Sequence, residues 1–193
     1  MKPRGRTRPT LEQLRRELKR ERHRGNYSAT LRSTVFSLIT VAAVAVLIAT
    51  LFLPVLQIYG GSMDPTLRDG EIVLSVKTGK LNQGDIVAFY YNNKILVKRV
   101  IAGPGQWVDI DEDGNVYLDG ALLDEPYLLD RAQGGYNIQF PYQVPEGRWF
   151  VMGDHRSVSV DSRDRAVGCV SAEQIVGRLT FRVWPVDRIS VVE

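Results

Sequence analysis

Cysteine is nearly absent. Cys169 is the only one in 193 residues, which excludes an intramolecular disulfide, so any domain formed here is held by packing. No partner histidine stands near Cys169 in a recognisable cysteine-protease signature, and it reads as a small buried hydrophobe. No internal repeat is visible, and no helical periodicity competes with the β-rich patterning of the C-terminal two thirds. Charge is absent altogether from Thr34 to Leu53, TVFSLITVAAVAVLIATLFL. As a helix those twenty or so residues rise about 30 Å, the thickness of a hydrocarbon core. The run exceeds the usual signal-peptide apolar region and no small-x-small cleavage site follows before Pro54, so a retained anchor is expected.

What is present is distributed unevenly. Residues 1–32 hold eleven Lys/Arg against three Asp/Glu, leaving fourteen basic and nineteen acidic residues beyond them. The basic balance therefore belongs to the tail. Directly before an apolar run it points to a lipid bilayer, and no nucleic-acid partner is expected. Arg24 and Arg32 flank the run and predict a cytoplasmic N-terminus with the remainder outside. Thr10 and Gln13 form a capping-box pattern, and Leu11, Leu14 and Leu18 share one stripe. Two readings stand for this tail, a short basic helix on anionic headgroups or a solvated, partly disordered segment.

Beyond the run, alternating stretches begin at Glu71 (EIVLSV), Asp85 (DIVAFYY), Lys94 (KILVKRVIA), Trp107 (WVDID), Asn115 (NVYLDG), Arg148 (RWFVMGD) and Ile175 (IVGRLTFRV). Turn signals at Asn92-Asn93 and Asp113-Gly114 separate some of them. A mainly β, antiparallel domain behind one N-terminal transmembrane helix is expected, with residues 133–147 as a looser insertion. The segments are a tail over 1–32, an anchor over 33–55 and a β-rich domain over 56–193.

Three clusters carry chemistry. Gly60-Gly61-Ser62-Met63-Asp64-Pro65-Thr66 sets a hydroxyl in a tight turn, able to offer a side-chain oxygen and a backbone N–H; alone, most strings of this kind are ordinary turns. In the stretch from Lys94, strand alternation puts Lys98 on one face with Leu96 and Val100. Burial there favours the neutral amine, and bringing its pKa near 7 requires about 4 to 5 kcal/mol. The alternative is a lysine whose stem packs while its head reaches water. Gly153 to Arg163, GDHRSVSVDSR, is dense in polar groups at a strand's end, either a solvated loop or a shelf that holds the other two clusters in register.

These three stretches, GGSMDPT, LVKRVIAGPG and GDHRSVSVDSR, together resemble the boxes of bacterial type I signal peptidases in the family's order. DGALLDEPYL and FRVWPVDRI extend the resemblance over residues 30–190. It implies a membrane-anchored serine endopeptidase that removes Ala-x-Ala-type signal peptides from translocated preproteins, as a monomer, without metal or other cofactor. It implies Ser62 as nucleophile, Lys98 as general base, Ser159 as a hydroxyl on the lysine amine, and Asp161 with Arg163 as a buttressing ion pair. Ser62 N–H would donate to the oxyanion. Gly60 stands where some members carry a second, hydroxyl donor, so a backbone group must replace it. Gln57, Ile58 and Tyr59 on one side and Val97 on the other match the walls that clamp substrate as an added strand, with Val97 and Ile58 as pocket candidates. The sequence departs from the family at His155, where Asn is commoner, at Ser157-Val158 and at Gln106. His155 leaves open a second arrangement, a Ser62/His155/Asp161 triad.

Overall fold

The computed structural model describes residues 10–77, 80–132 and 137–192, with side chains of 21–29 and 48–52 excepted. The chain divides into two compact units, Met1–Ala49 and Thr50–Glu193. Residues 1–9 of the tail and the side chain of Arg24 lie outside the described set.

One helix, α1 (Leu11–Phe52), carries both the basic stretch and the apolar run. Thr10 N–H donates to Gln13 Oε1 at 3.0 Å, half of the expected capping box. A short, separate basic helix is not what forms. No proline interrupts the sequence between Thr10 and Pro54, and the single Gly25 costs a helix only about 1 kcal/mol. The segment Thr30–Leu47 is long and apolar enough to cross a membrane, and none of it is buried. Thr34 and Thr40 return their hydroxyls to the carbonyls of Thr30 and Phe36, at 2.9 and 2.8 Å, so neither needs water as an acceptor.

The second unit is antiparallel β throughout its named strands. In chain order these are β1 (Val55–Gln57), β2 (Ile72–Val76), β3 (Ile86–Tyr91), β4 (Lys94–Ala102), β5 (Trp107–Ile110), β6 (Val116–Leu118), β7 (Ala121–Leu122), β8 (Tyr142–Gln143), β9 (Arg148–Met152), β10 (Val170–Ser171), β11 (Ile175–Trp184) and β12 (Ser190–Val191). A large sheet runs β1-β2-β11-β3-β4-β9-β10, with β12 on β11, and a small one runs β7-β6-β5-β8. The Asn92-Asn93 pair closes the β3–β4 hairpin between Tyr91 and Lys94, with Asn92 in the left-handed region at φ 51°.

Alternation along β4 divides its side chains between two cores. Leu96 and Val100 pack with Val87, Phe89 and Val151, while Val97 packs with Ile58, Met63 and Leu67. The stretch expected to be loose is only partly so: residues 133–136 lie outside the described set, but Tyr142–Gln143 pairs with β5. Ile138, Phe140, Tyr142 and Val144 pack into a third core with Phe150. They fall at every second position, as in a strand, but Pro141 and Pro145 break the run of backbone donors, and burial against Phe150 orders them.

Two of the strand edges that pairing leaves open belong to β4 and β1. Along β4, Lys94–Lys98 pairs with β3 alone, because β9 joins only from Arg99 onward. β1 pairs with β2 alone.

Candidate active site

Lys98 lies on β4 opposite Val87, which is wholly buried, and is itself 3% exposed. Its Nζ lies 2.7 Å from Ser62 Oγ and donates to Val97 O at 3.0 Å. Burial pushes the amine down from 10.5 to about 8, against the upward pull of the Asp161 and Asp154 carboxylates, and Arg163 adds to the lowering. An amine so depressed is neutral in about a tenth of molecules at pH 7 and in more above it, within reach of a hydroxyl proton.

Ser62 stands on a turn held from several sides. Gly60 adopts φ +81° and donates its N–H to Asp69 Oδ1 at 2.7 Å. That bond occupies the Gly60 N–H, so it is not free to serve an oxyanion. Asp64 N–H donates to Gly61 O at 3.1 Å, and His155 N–H donates to Ser62 O at 3.2 Å. Among the described residues the Ser62 N–H has no acceptor. Behind the turn, Gly153 leaves no room for a side chain: a Cβ there would sit 2.3 Å from Ser159 Oγ and 2.5 Å from Ser62 O.

The third cluster forms a shelf. Asp161 is buried and pairs with Arg163 through Nε at 2.8 Å and Nη2 at 3.0 Å, while its Oδ2 also accepts the Gly153 N–H at 3.1 Å. Arg163 in turn donates to Ala132 O and Arg156 O, at 2.9 and 2.8 Å. The ion pair expected from the sequence is therefore present, and it fixes the glycine against which Ser62 rests. Ser159 differs from expectation. Its Oγ is buried without a hydrogen-bond partner and does not bond the lysine amine. It lies against Gly153, where a Cβ would collide with it. The triad alternative is not formed either. The His155 ring has Gly61 O at 3.3 Å and Asp130 Oδ2 at 3.9 Å, and both Asp161 oxygens are committed elsewhere.

Among the buried ion pairs that the sequence reading did not name are Arg99–Asp154 and Arg156–Glu125. Arg99, next to Lys98, donates to both oxygens of Asp154, at 2.9 and 2.7 Å, and Thr66 Oγ1 donates to the same carboxylate at 2.6 Å. The Arg99 guanidinium stacks 3.9 Å from the centre of the Tyr127 ring. Tyr127 OH donates to Glu125, which pairs with Arg156, and Arg156 Nε donates to Gly153 O at 3.0 Å. Arg99 could have been suspected as a charge inside an apolar strand. Glu125 and Tyr127 carry no local signal, because their partners are distant in sequence.

Beside the dyad a groove of about 490 Å³ is lined by Gln57, Ile58 and Tyr59 on one side, and by Ile95, Leu96 and Val97 on the other, with Gly60, Ser62 and Lys98 at its end. All four candidate wall residues therefore meet at one cavity. Ile58 is buried, Val97 half-buried, and Tyr59 is exposed with its hydroxyl on Gln57 Oε1 at 2.9 Å. Among the described residues no three His, Cys, Asp or Glu side chains gather as a metal site would require.

The sequence also matches known proteins. Residues 31–184 match the family model for signal peptidase, peptidase S26. Signal peptidase IB of Staphylococcus aureus is 44% identical over 149 residues, covering 66% of this chain and 76% of that protein. Signal peptidase I of Streptococcus pneumoniae is 36% identical over 172 residues, covering 69% and 83%. A crystal structure of a signal peptidase I from Enterococcus faecalis, 31% identical, superposes with a TM-score of 0.44 over 54% of this chain and all of that one. This chain belongs to the signal peptidase family, peptidase S26, and is a serine-class endopeptidase.

Proposed function

We propose that this protein removes signal peptides of the Ala-x-Ala type from translocated preproteins, with Ser62 as nucleophile and Lys98 as the general base. The observation that carries the reading is the 2.7 Å approach of a buried, pKa-lowered amine to the Ser62 hydroxyl. The neutral amine takes the hydroxyl proton as Oγ attacks the scissile carbonyl. It then returns the proton to the departing amine of the mature protein, leaving an acyl-enzyme. A water deprotonated by the same amine hydrolyses that ester. The Ser62 N–H, which has no acceptor among the described residues, is suited to the oxyanion.

The open edges of β1 and β4 support substrate binding as an added strand, with backbone hydrogen bonds for affinity and small apolar pockets at Ile58 and Val97 for specificity. All these groups come from one chain, so a monomer suffices. The apolar helix supports an anchor in the cell membrane, with the basic tail cytoplasmic and the β-rich unit outside. Cleavage of an Ala-x-Ala preprotein by Ser62→Ala and by Lys98→Ala tests the chemistry. Each is expected to lower kcat by at least about a thousandfold with melting temperature retained. Appreciable turnover by folded Lys98→Ala would overturn the assignment of the base.

A further inference from the structure

His155 touches the turn bearing Ser62 at two points. Its backbone N–H donates to Ser62 O at 3.2 Å, and its ring Nδ1 lies 3.3 Å from Gly61 O. A carbonyl oxygen only accepts, so Nδ1 carries a hydrogen and donates. Gly61 C=O and Ser62 N–H are the two ends of one planar peptide group. A donor that fixes the oxygen therefore fixes the direction of the N–H, and polarising the carbonyl makes that N–H a stronger donor.

The backbone of His155 is held in turn. It forms an isolated parallel β-bridge with Asp130, whose Oδ2 lies 3.9 Å from Nε2, beyond hydrogen-bond reach. Leu129 N–H donates to Asp154 O at 3.2 Å, tying the same segment to the residue before His155. Gly61 O also accepts the Asp64 N–H at 3.1 Å, which uses one lone pair within the turn and leaves the second to the imidazole.

We infer that His155 is a positioning residue, whose imidazole N–H on Gly61 O aims the Ser62 N–H at the oxyanion of the tetrahedral intermediate. The inference rests on Ser62 being the nucleophile. It concerns charge that develops only in the transition state, so it predicts a loss in kcat with KM little changed. Because Asp64 keeps hold of the carbonyl, the loss is partial.

Three variants and one inhibitor pair test it. His155→Leu removes the donor. His155→Asn places an amide N–H on the same side-chain carbon that bears Nδ1, and His155→Gln moves it one bond further out. For His155→Leu, kcat is expected to fall about tenfold, short of the loss from deleting an oxyanion donor outright. A substrate-sequence peptide aldehyde, which forms a hemiacetal with its oxygen at the oxyanion position, should weaken by a similar factor. The uncleavable parent peptide should bind as before. His155→Asn is expected to restore most of the kcat and His155→Gln is not. Should His155→Leu fail to fold, the Asn and Gln variants carry the comparison. Unchanged kcat in folded His155→Leu, equal weakening of both ligands, or no difference between Asn and Gln would overturn the inference. Ser62→Ala, assayed alongside, separates the two claims: activity there would sink the nucleophile assignment itself, whereas its inactivity leaves His155 to be judged alone.

Discussion

Lys98 bears a proton that the fold disfavours, and this has consequences for rate and stability. Only the neutral amine can accept the Ser62 proton, so kcat/KM should rise with pH and level off above an apparent pKa of about 8. A profile flat between pH 6.5 and 9.5 would contradict a titrating amine. Stability changes with pH in the same direction as for an ion-paired acid, because in both cases the folded pKa is depressed. The folded value lies below the unfolded one, so the unfolded chain binds more protons between about 8 and 10.5, and stability rises with pH across that window. Below it, the buried ammonium costs about 3 kcal/mol. Lys98→Met, similar in length and apolar, should therefore be inactive yet melt higher than the parent at pH 7, with the gap closing towards pH 10. An equal or lower melting temperature at pH 7 would count against a desolvated amine. Lys98 was legible in the sequence through the resemblance of LVKRVIAGPG to the family's lysine box, since alternation alone left a stem-packed lysine open. Ser159 was not, because the direction of its hydroxyl depends on where Gly153 lies.

At the level of elements, the site is the meeting of a turn, a strand and a polar loop, and glycines set how closely they approach. A Cβ on Gly153 would meet Ser62 O and Ser159 Oγ, whereas a Cβ on Gly177 of β11 would sit 2.7 Å from Ser75 Oγ and 2.8 Å from Val76 O, on the β2 side of the sheet. Both positions are too tight for a methyl group, but only one bears on the nucleophile. Gly153→Ala must push the Ser62 backbone and is expected to cut kcat by at least about a hundredfold, since a displacement of an ångström costs that much. Gly177→Ala should lower the melting temperature and leave kcat within a fewfold of the parent. Comparable kcat losses in both variants would mean that the contact with Ser62 has no special role. The hairpin around Asn92-Asn93 and the alternation of β4 were readable locally, through period and turn chemistry. The pairing of β1 with β2 and the docking of Phe140 on Phe150 were not, since a three-residue strand and a proline-interrupted run acquire meaning only from their partners.

For the molecule as a whole, the charge asymmetry predicts an orientation that labelling can read. On a Cys169→Ala background, a cysteine at exposed Glu112 should react with a membrane-impermeant maleimide in intact cells, and one at exposed Glu12 should react only after permeabilisation. The reverse pattern would invert the proposed orientation. The sequence by itself determined what local periodicity and composition encode: one uncharged run of membrane length, a basic tail, a β-rich remainder, and three polar clusters of the kinds that proteolysis needs. Only the tertiary structure decided which of these groups touch. Lys98 and Ser62 are thirty-six positions apart, and Arg156 and Glu125 thirty-one. Contacts over such separations follow from strand order and burial, which no local pattern specifies. The same applies to the ring of His155, which lies on Gly61 O rather than the Ser62 hydroxyl because the backbone of its loop is pinned to Ser62 O and Asp130.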